Sequence, residues 1–162
     1  DEVRKILSDQ KIDLLINNAG LLRDEQLGSI DYDTMRQQFE INALAPLRVT
    51  EALLDNIVEG GKIANITSRM GSIADNDSGG RYGYRASKAA LNAIGKSLTE
   101  DLKPRGIAVA QLHPGWVQTR MVNFGGLITP EESAAGLIER IEALNLDNTG
   151  SFWHSNGEVL PW

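Results

Sequence analysis

Apolar residues are grouped along the chain in short continuous runs that alternate with longer stretches of helical spacing. Three runs stand out, at residues 12–17, 62–66 and 107–112. Runs of this kind are typical of parallel strands, because both faces of such a sheet are covered. The pattern therefore predicts an α/β fold with a parallel sheet. A last short strand is expected near His154.

The stretches between the runs carry helix signals. Residues 1–10 have the pattern of a helix tail that leads into the first strand. Thr, Pro and Glu in a capping pattern at residues 129–132 predict the start of a helix that runs to about Leu144. The Gly- and Ser-rich residues 74–80 predict a loop that is too short to separate domains.

A broad apolar face over residues 35–54 predicts another helix, which contains Asn42 and, four residues later, Pro46. Proline has no N–H group, so the carbonyl of Asn42 would lose its helical partner. We expect this carbonyl to be free to accept a hydrogen bond from water.

Tyr84 and Lys88 provide the first candidate chemistry. They stand four residues apart at the predicted opening of a helix, so the phenol and the ammonium share one face. A fixed positive charge within about 4–6 Å favours phenolate, and we expect Lys88 to lower the pKa of Tyr84. The spacing alone is a weak pattern, because common residues recur at helical intervals by chance.

Polar residues also follow the predicted strands. Asn-Asn-Ala-Gly ends the first strand at residues 17–20, and Ser68 follows the second. His-Pro-Gly-Trp-Val-Gln-Thr ends the third strand at residues 113–119. Ligands of parallel sheets bind at the carboxyl ends of the strands, so these segments predict one shared site.

The order of these motifs resembles the short-chain dehydrogenase/reductase family, from about Ile12 to the C-terminus. Arg-Tyr-Gly-Tyr-Arg-Ala-Ser-Lys at residues 81–88, His-Pro-Gly-Trp-Val and the closing Gly-x-x-x-Pro-Trp resemble its C-factor or carbonyl-reductase-like branch. The resemblance implies the C-terminal part of a Rossmann-like doubly wound parallel sheet with helices on both faces. It implies an NADP- or NAD-dependent oxidoreductase that acts on a small-molecule carbonyl or alcohol substrate.

The resemblance also implies roles for individual residues. The catalytic residues would be Asn42, Ser68, Tyr84 and Lys88. Cofactor contacts would come from Tyr84 and Lys88 together with Asn18, Ala19, Gly20, Pro114, Gly115, Val117 and Thr119. Substrate contacts would come from Ser68, Tyr82, Trp116 and Met121. The helices that carry Asn42 and Tyr84 would pair with their symmetry mates in a homodimer or homotetramer.

The Gly-rich turn that binds pyrophosphate in this family does not occur before residue 17. We therefore expect residues 1–162 to be one incomplete domain, the catalytic C-terminal two-thirds. The strand at residues 12–17 would then present an unpaired hydrophobic edge, which favours aggregation. We expect the chain to be inactive by itself.

The composition excludes several classes of binding partner. The chain has 162 residues, a net charge of −6 and a pI near 4.9, which argues against nucleic acid and anionic membranes. It has no cysteine and two isolated histidines, a pattern that does not predict a metal site. No apolar run approaches the roughly 18 residues of a membrane span. We expect a cytoplasmic protein.

Two other interpretations stay open. A reductase-like fold could act in signalling or protein interaction without turnover, although Asn42, Ser68, Tyr84 and Lys88 argue against it. Sugar-nucleotide epimerases also use Tyr-x-x-x-Lys, but Asn-Asn-Ala-Gly and Pro-Gly-Trp-Val fit the reductases better. The sequence before residue 1 would separate these interpretations, because a Gly-rich strand-turn-helix there would indicate cofactor binding.

Overall fold

The computed structural model describes residues 2–162 and contains one parallel sheet of four strands. The strands lie in chain order, and their bounds are β1 (Ile12–Asn17), β2 (Ile57–Ile66), β3 (Ala108–His113) and β4 (Ser151–His154). The predicted α/β fold with a parallel sheet is confirmed. β2 begins five residues earlier than the apolar run predicts, and its register against β1 shifts between Ile12 and Leu14.

In the described part of the chain, one α-helix precedes the first strand and four lie between successive strands. Their bounds are α1 (Glu2–Leu7), α2 (Tyr32–Phe39), α3 (Ala45–Leu53), α4 (Tyr82–Leu102) and α5 (Pro130–Ala143). The predicted helix tail before β1 is α1, and the helix that carries Tyr84 and Lys88 is α4. Within residues 2–162, no helix is long and apolar enough to cross a membrane.

The sheet has a packed apolar core on each face. On one face, Ala64 and Leu112 belong to a cluster that includes Ile141 of α5. On the other face, Ile63 and Val109 pack with Leu102 of α4. Because successive strand residues point to opposite faces, each apolar run contributes to both cores. This arrangement confirms the expected doubly wound sheet with helices on both sides.

The start of α5 agrees with the capping pattern at residues 129–132. The Thr129 hydroxyl accepts from the Glu132 N–H at 3.2 Å, and the Glu132 carboxylate accepts from the Thr129 N–H at 2.8 Å. These reciprocal bonds satisfy two N–H groups that the helix itself leaves unpaired.

The chain accommodates Pro46 by a π-helical turn at Glu40–Leu44 that joins α2 to α3. The Ala45 N–H bonds to the Glu40 carbonyl, five residues back, so the ladder changes its spacing before the proline. Pro46 still supplies no N–H to the carbonyl four residues back, so the expectation that the Asn42 carbonyl accepts from water stays a prediction. Such π-bulges often occur at functional sites.

β1 lies at the edge of the described sheet. Leu14 and Ile16 of this strand are 39% and 46% exposed, whereas residues of β3 between two neighbouring strands are fully buried. The outer edge of β1 is therefore both apolar and accessible, as the sequence predicts.

Candidate active site

Three buried amide side chains join the carboxyl-terminal parts of β1, β2 and β3. The Asn17 amide donates to Asn65 at 2.8 Å, and the Asn65 amide donates to Gln111 at 3.0 Å. The three residues are direct neighbours in the strand register. We call this row the amide ladder. It fixes the strands side by side just below the ends from which the site is built.

A cavity of about 780 Å³ opens above these strand ends. Its volume lies in the range of small-molecule sites. Twelve of the fourteen site residues predicted from the sequence line it: Asn18, Ala19, Gly20, Ser68, Tyr84, Lys88, Pro114, Gly115, Trp116, Val117, Thr119 and Met121. The fold thus brings the cofactor, substrate and catalytic candidates together around one space.

Asn42 and Tyr82 are the two predicted site residues that do not line this cavity. Tyr82 is 38% exposed at the first position of α4, and its role as a substrate contact is not supported by this position. Asn42 is fully buried behind the cavity wall, where its side chain ties other segments together.

Tyr84 and Lys88 lie one helical turn apart in the first half of α4. The Lys88 ammonium is 5.9 Å from the centre of the Tyr84 ring and donates to the Ile66 carbonyl at 2.8 Å. Both residues are largely buried, at 8% and 3% exposure. The predicted shared face is present, and the end of β2 holds the ammonium in place.

Burial governs the acidity of both groups. It raises the pKa of the Tyr84 phenol above its ordinary value, although the neighbouring Ser68 hydroxyl and the charge of Arg81 act in the opposite direction. It also lowers the pKa of Lys88 to about 8, because the ammonium is removed from water. The expected lowering of the Tyr84 pKa by Lys88 is therefore wrong for this structure, since desolvation outweighs the favourable charges.

Ser68 is held at the end of β2 by a short turn. Its hydroxyl accepts from the Met70 N–H at 3.1 Å and caps the 3-10 turn Arg69–Gly71. A side chain at Gly71 would come within 2.8 Å of the Lys88 backbone, so only glycine permits this contact between the turn and α4. Thr67, the alternative hydroxyl, instead donates to buried Asn92 at 2.8 Å.

Asn42 holds the first turn of α4 against the loop after β1. Its amide group exchanges two hydrogen bonds of 2.7 Å with the backbone of Leu21. The same amide nitrogen donates to Ser87 at 2.9 Å, and the Ser87 hydroxyl donates to the Tyr84 carbonyl at 2.8 Å. The side chain of Asn42 therefore positions the segment that carries the phenol.

The third wall of the cavity is the turn after β3. Gly115 has φ +89, which only glycine adopts without strain, and the Pro114 carbonyl accepts from the Ser133 hydroxyl of α5 at 2.7 Å. His113 packs edge-on against His154, with ring centres 4.8 Å apart. Burial, His154 and Arg69 together lower the pKa of His113 to about 3, so it is neutral near pH 7.

Sequence reasoning missed the polar residues that support the site from behind. Glu25, Gln38 and Ser87 are buried around the start of α4. The Glu25 carboxylate accepts from the Gln38 amide and from the Gly83 N–H, and the Ser87 hydroxyl accepts from the Asn42 amide. Their signal in the sequence is faint, because isolated polar residues in loops and helices are normally solvated. Within residues 2–162, no three of the His, Asp and Glu side chains are grouped so that they could hold a metal ion.

Known proteins similar to this chain agree on one family. The family model described as short chain dehydrogenase matches residues 1–125. A 1-hydroxy-2-glutathionyl-2-methyl-3-butene dehydrogenase of Rhodococcus sp. strain AD45 is 46% identical over 156 residues, which cover 94% of this chain and 69% of that protein. C-signal of Myxococcus xanthus is 45% identical over 154 residues, and the match covers 93% of each chain.

The structural comparison adds a ligand-bound relative. The structure of NADPH-bound carbonyl reductase from chicken fatty liver matches with a TM-score of 0.88 and 31% identity. The match covers 99% of this chain and 70% of the reductase.

Proposed function

Because the chain belongs to the short chain dehydrogenase family, we propose that it transfers a hydride between a nicotinamide cofactor and a carbonyl or alcohol carbon. One observation carries this proposal. Ser68, Tyr84 and Lys88 meet in one cavity with the Pro114 turn, although they come from a strand end, a helix and a second strand end. A hydroxyl, a phenol and an ammonium in this arrangement can bind a carbonyl oxygen and supply it with a proton.

NAD or NADP is the cofactor, and the cavity fits the nicotinamide half of such a molecule. The Lys88 ammonium has three N–H groups, of which Ile66 takes one, so two remain to donate to ribose hydroxyls. A Cβ at Gly20 would lie 3.7 Å from Lys88 Nζ, so glycine leaves space beside the ammonium. Asn18 and Ala19 extend this wall, and Pro114 to Thr119 form the opposite one.

The nicotinamide ring supplies or accepts the hydride, and the residues of this chain handle the proton and the oxygen. In the reductive direction, Ser68 donates a hydrogen bond to the carbonyl oxygen. Tyr84 transfers its phenolic proton to the same oxygen as negative charge develops there. Because burial raises the Tyr84 pKa, the phenol is protonated at neutral pH and ready for this role.

We infer an apolar substrate from the remaining wall of the cavity. Trp116, Met121, Val122 and Leu137 lie around its mouth, and Trp116 and Met121 are about half exposed. Apolar surface left open beside a reacting group favours substrates with an aromatic or aliphatic body. An aromatic aldehyde is a suitable first probe.

We also propose a homodimer or homotetramer, by likeness to the family. Phe39, Ile41, Leu44 and Val49 are each 37–41% exposed around the π-helical turn and α3, which leaves an apolar surface accessible. Leu91 of α4 is 1% exposed and faces the core, so it cannot take part. A single species of monomer mass in sedimentation at micromolar concentration would refute the assembly.

The test of the proposed function is Tyr84→Phe in the protein that carries this chain. We expect turnover of NADPH with para-nitrobenzaldehyde to fall at least about 100-fold, because the variant lacks the proton donor. Nucleotide affinity, followed by fluorescence titration, should change less than about threefold. Tyr32→Phe, at an exposed position of α2, is the matched control and should leave both values unchanged.

Two outcomes would contradict the proposal. Turnover of Tyr84→Phe within a few-fold of the parent protein would remove Tyr84 from its role. Tight nucleotide binding by the parent without turnover of any carbonyl or alcohol probe would instead favour the non-catalytic interpretation, in keeping with the name of the relative C-signal.

A further inference from the structure

Glu25 is a buried carboxylate in the loop between β1 and α2, and only 3% of it is exposed. Its oxygens accept hydrogen bonds from three donors among the described residues. One oxygen accepts from the Gln38 amide and, at 3.3 Å, from the Thr34 hydroxyl; the other accepts from the Gly83 N–H at 3.0 Å. An ionised side chain is placed in the interior only where such donors satisfy it.

The start of α4 has no cap of its own. Arg81 stands at the N-cap position in the left-handed conformation, with φ 49, and its side chain makes no capping bond. The first N–H groups of a helix need acceptors from elsewhere. The Glu25 carboxylate supplies one for Gly83, and the Glu25 carbonyl accepts from the Arg81 N–H at 3.1 Å. The positive end of the helix dipole also attracts the negative charge of the carboxylate at this position.

Close packing fixes this contact. A Cβ at Gly83 would come within 2.5 Å of the Gln38 amide nitrogen, 2.8 Å of the Glu25 carboxylate and 3.0 Å of Met35. The helix start, the carboxylate and α2 therefore approach one another as closely as glycine permits. Gly83 directly precedes Tyr84, and Lys88 follows one turn later on the same helix.

We propose that Glu25 is a positioning residue for the reaction, which acts by holding the first turn of α4, and with it Tyr84, at a fixed distance from the strand ends. The inference rests on the proposed function for its effect on turnover. Its structural part, the fixation of residues 82–88, stands independently. A displacement of about 1 Å at a reacting group reduces rates by roughly 100-fold, so loss of the bond that fixes this helix start should lower the rate of the reaction.

Gln38 makes a decisive variant possible. In Glu25→Gln, the new side chain has one oxygen and one NH₂ group in place of two oxygens. If its oxygen faces the Gly83 N–H, its NH₂ group faces the NH₂ group of Gln38. If its oxygen faces Gln38 instead, the bond from Gly83 is lost. Gln38 cannot turn over without losing a second bond, because its oxygen accepts from the Arg23 N–H at 2.9 Å. The double variant Glu25→Gln, Gln38→Glu restores the bond between positions 25 and 38 and the bonds to Gly83 and Arg23, since a carboxylate at position 38 accepts from both sides. It loses only the two longer contacts with Thr34, at 3.3 and 3.4 Å.

The experiment uses the protein that carries this chain, as for Tyr84→Phe, and measures kcat with para-nitrobenzaldehyde, nucleotide affinity, and hydrogen exchange of residues 82–88. We expect Glu25→Gln to lower kcat at least about tenfold, to leave nucleotide affinity within about threefold, and to increase exchange at residues 82–88. The double variant should recover kcat and exchange to within about threefold of the parent. Gly83→Ala, which keeps both side chains but pushes the carboxylate away, should reproduce the loss.

Asp31→Ala is the matched control, because Asp31 caps α2 in the same loop and does not touch α4. It should lower the melting temperature with no effect on kcat or on residues 82–88. The proposal is overturned if Glu25→Gln keeps kcat and exchange within twofold, if Asp31→Ala produces the same losses, or if the double variant fails to recover them. If the parent shows no turnover, the proposed function fails by itself, and the exchange measurements alone decide the role of Glu25.

Discussion

At the scale of single residues, the site depends on ionisable groups that the fold removes from water. Tyr84 and Lys88 are held close together, yet burial moves both towards their neutral forms. A neutral phenol is the form that donates a proton. The lowered pKa of Lys88 reduces the average positive charge of its side chain. The buried lysine should therefore affect the pH dependence of the free energy of unfolding as well as the activity.

The pKa of about 8 for Lys88 predicts a rise in stability with pH. Between about pH 8 and 10 the unfolded chain keeps the lysine proton while the folded chain releases it, so the free energy of unfolding should increase by up to about 3 kcal/mol. Lys88→Met should remove this rise and also abolish turnover. Urea titrations of both proteins across this range measure the difference; parallel curves would contradict the prediction.

His113 predicts a dependence of the same sign at acidic pH, because its pKa is also lowered by the fold. Its pKa of about 3 lies below the ordinary value of 6.5, so between these values the unfolded chain binds the proton more tightly. The free energy of unfolding should therefore fall by several kcal/mol as the pH drops from about 6.5 to 3. His113→Phe should fall less steeply, whereas His154→Gln should keep most of the slope. Equal slopes for the parent and His113→Phe would refute the role of His113.

At the scale of elements, the site is assembled from strand ends that buried polar bonds hold in register. The amide ladder of Asn17, Asn65 and Gln111 crosses three strands, and Asn42 and Glu25 attach α4 to the loop after β1. The helix that carries the phenol is thus fixed at its first turn from two sides. Apolar packing alone would leave its rotation and translation less strictly defined.

Asn65 is the central member of the amide ladder, and Asn65→Leu tests its contribution. The variant leaves the Gln111 oxygen without its donor in the interior and leaves the Asn17 amide only its longer bond of 3.3 Å to Thr50, so we expect the free energy of unfolding to fall by about 2–4 kcal/mol. Thr129→Ala removes the capping bond of α5 at an accessible position and should lower it by only about 1 kcal/mol. Chemical denaturation of both variants gives the comparison. A loss below about 0.5 kcal/mol for Asn65→Leu would refute the stabilising role of the amide ladder.

At the scale of the whole molecule, the accessible edge of β1 stands out. Leu14 and Ile16 are exposed on a strand whose outer backbone groups can pair with a further strand. Residues 1–162 also contain no Gly-rich turn at a helix N-terminus to bind a pyrophosphate. Both features affect the aggregation and the cofactor binding of residues 1–162 when they are expressed alone.

We predict that the 162-residue chain alone does not reduce carbonyl compounds with NADH or NADPH. Hydride transfer needs the reacting carbons within about 3–3.5 Å, and the described cavity supplies contacts for only part of the cofactor. A Gly-rich strand-turn-helix segment, fused in front or added as a separate chain, should restore turnover and reduce aggregation in light scattering. Robust cofactor-dependent turnover by the purified chain alone would contradict this prediction.

The sequence by itself determined the α/β class, the three main strands and the start of α5, because apolar runs and capping patterns act locally. It also placed Ser68, Tyr84, Lys88 and the Pro114 turn at strand ends and on one helix. The tertiary structure alone decided the acidity of Tyr84 and the positions of Asn42 and Tyr82. It also brought Glu25 to Gly83, which lies 58 residues away in the chain. Burial and long-range hydrogen bonds depend on which segments meet, and no local pattern contains that information.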